Sequence, residues 1–146
     1  ATARLAEPLT IYLTAGWLDS EYRNVDPGHP AFGLDVQLKQ IPEWAYKIGF
    51  EYRRPVGAAG DFVLGANYLS SAEIPRDVAN NPIVTTEEYQ TLDAQMSFES
   101  QDGRWRISLS GENLTGEEYW TMGTAPFARF YAPEQVWALS LRYSLD

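Results

Sequence analysis

Few residues in this sequence could do covalent or acid–base chemistry. His29 is its one histidine, set between Gly28 and Pro30, and cysteine is absent. One histidine without a thiol assembles neither a Ser/His/Asp triad nor a zinc site, so no catalytic residue, metal ligand or cofactor is expected. Adjacent carboxylates occur at Glu87-Glu88 and Glu117-Glu118. Neighbours on an extended chain point to opposite sides, so these read as solvated loop charges rather than a shared metal site. What remains is non-covalent: Arg23, Arg76 and Arg129, together with Tyr119, Trp120, Phe127, Phe130 and Tyr131. Guanidinium groups suit anions and aromatic rings suit flat or sugar-like ligands. Taken singly, each of these residues is expected to pack one loop against another.

The elements that must position them show a period of two. From Glu43 to Arg53, Trp44, Tyr46, Ile48, Phe50 and Tyr52 alternate with Ala45, Lys47, Gly49, Glu51 and Arg53. Successive strand side chains point to opposite faces, so one face is apolar and the other polar. The same pattern runs from Pro8 to Tyr22, from Asp61 to about Leu69, from Tyr89 to Glu99, from Arg104 to Asn113 and from Gln135 to Leu145. In the last of these Trp137, Leu139, Leu141, Tyr143 and Leu145 form the apolar face. Lys47, Glu51, Arg53, Asp93, Glu99, Arg106, Glu112 and Arg142 all fall in the polar register. Pro55–Gly60 and Gln101–Gly103 are short turns, the second carrying the Asp-Gly pair of tight hairpins. Arg23–Pro42, Ser70–Glu87 and Leu114–Pro133 are long connections, the first of them including the turn formers Asp26-Pro27-Gly28-His29-Pro30. The fold class is therefore all-β: an antiparallel up-and-down meander of about six strands.

Composition bounds what such a sheet can do. The chain has 146 residues, a formal net charge of −9, and only two lysines, Lys39 and Lys47. That acidity argues against nucleic-acid phosphates as a partner. No apolar run approaches the ~18 residues of a membrane helix, a test that does not detect barrels. Ten strand residues tilted by about 40° rise ~25 Å, the height of the apolar band of a membrane barrel. Aromatics at strand ends, alternation of long and short connections, and a polar face poor in Lys and Glu favour a membrane barrel with its apolar face outward. The alternative is a self-contained small β-barrel, soluble or membrane-bound, that binds a ligand without transport.

The last third carries a more specific signal. Tyr89-Gln90-Thr91-Leu92-Asp93-Ala94-Gln95-Met96-Ser97-Phe98 precedes Trp105 to Glu112, then Asn113-Leu114-Thr115-Gly116-Glu117-Glu118-Tyr119, then Tyr131-Ala132-Pro133-Glu134 and the closing strand. With Ile41-Pro42-Glu43-Trp44 and Gly49-Phe50-Glu51-Tyr52-Arg53, this resembles the C-terminal end of a TonB-dependent outer-membrane receptor. The resemblance implies a receptor or transporter in the bacterial outer membrane rather than an enzyme, with siderophore uptake as the expected process. It implies as partners outer-membrane lipid, the remainder of the barrel with its plug domain, a TonB-type energy-coupling protein, and a small-molecule ligand such as a metal chelate. Outer loops of such receptors close over the ligand, which gives Arg23, Arg76, Tyr119, Trp120, Phe127, Arg129, Phe130 and Tyr131 their claim to ligand contact.

Two departures from the family stand out. The family closes on an aromatic residue, whereas Tyr143-Ser144-Leu145-Asp146 closes this sequence. The family barrel has about 22 strands. Residues 1–146 are therefore expected to be the C-terminal portion of an incomplete barrel, a fragment or one part of a multi-chain assembly. In a membrane its closing strand must pair on both edges, once with Arg104–Asn113 and once with a strand outside the first five.

Overall fold

The computed structural model describes residues 1–21, 23, 37–124 and 128–145, with side chains throughout except at 4–6 and 124. The Asp26–Pro30 run with His29, and likewise Tyr22, Phe127 and Asp146, lie outside the described residues. The elements are strands β1 (Thr2–Ala6), β2 (Leu9–Trp17), β3 (Trp44–Pro55), β4 (Gly60–Ser71), β5 (Tyr89–Ser100), β6 (Trp105–Glu112), β7 (Trp120–Thr124), β8 (Ala128–Tyr131) and β9 (Val136–Tyr143), with one 3-10 turn at Gly57–Ala59. Seven strands form one antiparallel sheet in the order β1-β2-β3-β4-β5-β6-β9, and β7-β8 form a separate hairpin. The all-β meander expected from the alternation is thus present.

Two elements were not legible in advance. The sequence predicts no strand before Pro8, yet β1 pairs with β2, Ala3 opposite Ile11 and Thr2 opposite Tyr12. Its Thr-Ala-Arg-Leu-Ala has no clear apolar period; the ladder supplies what the pattern lacks, beginning with Leu13 N–H donating to Ala1 O at 2.8 Å. The connection Leu114–Pro133, read as a loop, contains the β7-β8 hairpin.

The register keeps every apolar stripe on one face. Ile11, Phe50, Ala66 and Ala94 lie in one cross-strand row, and Leu9, Tyr52, Leu64, Met96, Leu109 and Leu139 in the next of the same face. The opposite face carries Thr10, Glu51, Gly65, Gln95, Ser110 and Ala138 in a row of their own. A one-residue slip would exchange the two faces completely. Arg54 alone enters the apolar register, opposite Phe62 and just past the expected strand end at Arg53. Its long stem places the charge beyond Tyr52, where a membrane barrel meets headgroups.

The polar face is the concave one. The Tyr12 hydroxyl donates to Asn67 Oδ1, joining β2 to β4 across the intervening β3. The two side chains meet over Gly49, where a Cβ would lie 2.6 Å from Asn67 Oδ1 and 2.7 Å from the Ala66 carbonyl, so only glycine fits. A recess of about 250 Å³ on this face is lined by Tyr12, Glu51, Asn67, Asp93, Gln95 and Glu112 among others, drawn from five strands. Lys47 shares the register of Glu51. Both therefore lie on the inner side, as expected.

The apolar face is convex and bare. Trp137, Leu139 and Leu141 are 58%, 76% and 64% exposed, and Leu13, Ile48, Met96 and Ile107 are also exposed. On β3, β4 and β9 aromatics stand near both ends (Trp44 and Tyr52, Tyr68 and Phe62, Trp137 and Tyr143) around an aliphatic middle. A contiguous patch of this size belongs against lipid rather than water.

Short turns close the opposite end. Gly103 has φ +70, the positive value that the Asp-Gly pair predicts. There Asp102 accepts the Ser100 hydroxyl at 2.5 Å and the Arg104 N–H at 3.1 Å. The Ser100 bond first, then the backbone N–H, hold its carboxyl below the ordinary value. A depressed folded-state pKa adds stability that is present above the unfolded pKa and lost as pH falls through the folded value.

Candidate functional site

The wall has no apolar core of its own. Among the described residues the buried hydrophobic side chains are Ala72, Ile74, Val84 and Trp120, all beyond the strand tops in the long connections. All three long connections meet there. Ile74 and Thr86 form an isolated bridge, exchanging N–H···O bonds of 2.8 and 3.0 Å, which folds residues 72–88 into a compact lobe. The Thr86 hydroxyl then donates to the Trp120 carbonyl at 2.8 Å and seats the β7-β8 hairpin on that lobe. Gln40 N–H donates to the Pro75 carbonyl at 2.7 Å, bringing in the end of the first long connection as well. Asn80, with φ +49, adds its amide to the Gln37 carbonyl at 3.1 Å.

The sequence-selected residues divide within this layer. Arg76 is half-buried and donates from Nε to the Thr86 hydroxyl at 2.7 Å. Arg129 lies over the Trp120 ring, 4.5 Å from its centroid, and donates from Nε and Nη2 to the Ile83 carbonyl at 3.0 and 2.7 Å. Trp120 itself is 5% exposed. Tyr119 stacks flat on Tyr89, with centroids 4.1 Å apart. Burial, and then the neighbouring Tyr89 and Asp93, push its hydroxyl above the ordinary tyrosine value. Phe130 and Tyr131 are 58% and 61% exposed, and Met122 is opposite Phe130 on the hairpin. Arg23 stands apart, exposed and paired with Glu21 at 3.3 Å.

Arg76, Trp120 and Arg129 are thus one cluster, Tyr119 adjoins it in sequence, and Arg23 is not part of it. Packing of loop on loop, expected for each residue singly, describes Trp120 and Tyr119. The two arginines are different. Their bonds go to a hydroxyl, a carbonyl and a ring face, none of them a counter-ion. Burial depresses the Arg76 pKa, which still leaves it a cation. Two cations without carboxylate partners among the described residues can receive an anion through their remaining N–H groups.

Sequence reasoning missed Thr86, which joins Arg76 to Trp120, and Ile83, which anchors Arg129. Neither has a local signal, because their partners lie 34 and 46 residues away. Asn113 was legible as a motif residue but not as the tie of three segments. With φ +49 and 6% exposure it donates to the carbonyls of Glu117 and Pro133 and accepts from Thr115 and Glu117.

Truncation of Trp120 tests the layer. Trp120→Ala removes the one large buried aromatic among the described residues and the ring under Arg129, at a local cost of about 3–5 kcal/mol. Limited proteolysis should cut residues 72–88 and 120–131 faster, while the strands keep their resistance to heat. Unchanged cleavage would mean that the loops do not depend on this core.

The family described as "TonB dependent receptor-like, beta-barrel" matches residues 2–114. The chain belongs to this family. TonB-dependent receptor barrels are receptors and transporters rather than enzymes, so the bare convex face is the lipid-facing wall and the recessed face the lumen. The match ends at Leu114, so most of the Asn113–Tyr119 motif lies beyond it. Among solved structures the barrel matches the siderophore receptor PiuA from Acinetobacter baumannii with a TM-score of 0.74, at 20% identity, over 97% of this chain and 20% of that chain. That likeness establishes the fold, and this chain spans about a fifth of that receptor. No curated protein matches the sequence.

Proposed function

We propose that these residues are the C-terminal portion of a barrel in the bacterial outer membrane that imports an anionic metal chelate, of the iron-siderophore class. Energy comes from a TonB-type inner-membrane complex, and the remainder of the barrel encloses a plug. The observation that carries the ligand class is the pair Arg76 and Arg129, held in the outer loop layer without carboxylate partners among the described residues. Phe130 and Tyr131 offer exposed rings beside them for a catecholate-like or other flat chelator. Arg23 and Phe127 are further loop contacts in this reading. The name of the structural neighbour, a siderophore receptor, agrees with the same class.

Transport by the full-length receptor tests this reading. Under iron limitation, uptake of a labelled ferric chelate should require the receptor and stop when the TonB-type protein is deleted. Arg76→Ala with Arg129→Ala should weaken chelate binding by about two to four orders of magnitude, because charge-assisted bonds contribute about 1.5–3 kcal/mol each. Uptake indifferent to the energy-coupling protein, or a receptor that accepts only neutral ligands, would overturn it.

A further inference from the structure

At the short-turn end of the inner face a row of charge leaves one arginine without a partner among the described residues. Reading across the strands, Asp61 is directly opposite Glu99, Glu99 opposite Arg106, and Arg106 opposite Arg142. Asp61 is paired with Arg53 at 3.1 Å, and Glu99 with Arg106 at 2.9 Å. Arg142 ends the row with no partner among the described residues, directly opposite a like charge. Like charges facing each other across a ladder are destabilising, and a carboxylate on the other side of β9 would offset that repulsion.

Among the described residues that other side is an open edge, because β9 ends the sheet. The Ser144 N–H donates to the Arg104 carbonyl at 2.9 Å. Hydrogen-bonded and non-hydrogen-bonded pairs alternate along an antiparallel ladder, so Arg142 turns its backbone groups to β6 as Ser144 does. Trp137, Leu139, Leu141 and Tyr143 therefore aim their N–H and C=O groups at the empty side. Towards an incoming antiparallel strand Arg142 occupies a non-hydrogen-bonded position, where Cα atoms approach to about 4.5 Å and side chains are closest.

We propose that the strand filling the open edge of β9, a segment of the same polypeptide outside residues 1–146, carries an inward-facing aspartate or glutamate directly opposite Arg142. This rests on the reading of the chain as part of a larger barrel, and it adds the charge and the register at which that barrel closes. The resulting row is neutralised on both sides of the seam, and a slip of one residue would turn that carboxylate to lipid.

Zero-length cross-linking of the full-length receptor in isolated outer membranes tests the assignment. Arg142→Lys keeps the charge and supplies an amine that carbodiimide joins to a carboxylate in contact with it. The expected result is an isopeptide, absent from the unsubstituted receptor, between the introduced lysine and an Asp or Glu of the strand that pairs with β9. A link to Glu99 or to a plug residue, or no link, overturns the proposal. Ser140→Cys, two residues along the same face, is combined with cysteines scanned along the pairing strand. If a disulfide forms there without a carbodiimide link, the barrel stands and the charge assignment falls; if neither forms, the closed-barrel reading falls with it. Arg142→Glu should also lower the yield of heat-modifiable barrel several-fold, and the reciprocal change of the cross-linked carboxylate to arginine should restore it.

Discussion

An arginine placed at Leu109 should destabilise the barrel in a bilayer by about 2–4 kcal/mol, while an arginine at Ser108, the preceding residue, should leave its stability nearly unchanged. Leu109 lies on the outward face between Met96 and Leu139, in the aliphatic middle of the wall. Ser108 lies on the inward face between Ser97 and Ser140. A cation on the lipid side near the midplane costs about 2–4 kcal/mol, and one in the wet interior costs little. Both substitutions add the same side chain at the same depth, so only the face differs. The measurement is the urea midpoint in phospholipid vesicles, read as loss of heat-modifiable mobility. A larger loss at Ser108 than at Leu109 would mean that the inner and outer faces have been assigned the wrong way round, and equal losses would mean that the two faces do not differ in their contact with lipid.

Asn113→Ala should be the most damaging polar substitution at the outer end. The side chain donates to the Glu117 and Pro133 carbonyls at 2.8 and 3.3 Å and accepts from the Thr115 hydroxyl and Glu117 N–H, both at 3.0 Å. Its own N–H bonds Asp93 at 2.9 Å, and Leu114 N–H bonds the Leu92 carbonyl at 2.7 Å. The side chain thereby fastens the top of β6 to its own turn and to the entry of β9, while the backbone N–H groups of Asn113 and Leu114 tie it to β5. Alanine leaves several part-buried groups without this partner, each costing up to about 1–3 kcal/mol, and gives up the short polar side chain that lets asparagine adopt the left-handed region. We expect a total loss of about 3–4 kcal/mol in the same urea assay. Asn113→Gly should regain about 1 kcal/mol of it by relieving the backbone, and the remainder is the hydrogen bonding. A midpoint unchanged in both variants would show that the turn holds without its side chain.

The order of the strands, the identity of their two faces and the positions of both short turns were legible from the residues alone. Alternation is a local property: the period of two follows from the extended backbone itself, so Trp44 to Tyr52 define a face whatever surrounds them. Gly103 shows the same locality, since its +70° φ is what an Asp-Gly turn demands. Strand β1 escaped because its five residues, held by backbone pairing to β2, have no pattern of their own.

What the alternation left open was which face curves inward, because lipid outside and a core inside produce the same period. Tertiary contact decided that, through Tyr12 and Asn67 meeting over Gly49. It also decided the fate of the loop residues. The sequence marks Arg76, Trp120 and Arg129 as capable of recognition, but only the fold brings them to Thr86 and Ile83. Those contacts span 34 and 46 residues of chain. Loop closure over such lengths is set by how the strands beneath are paired, so no local rule of sequence anticipates which guanidinium keeps free donors.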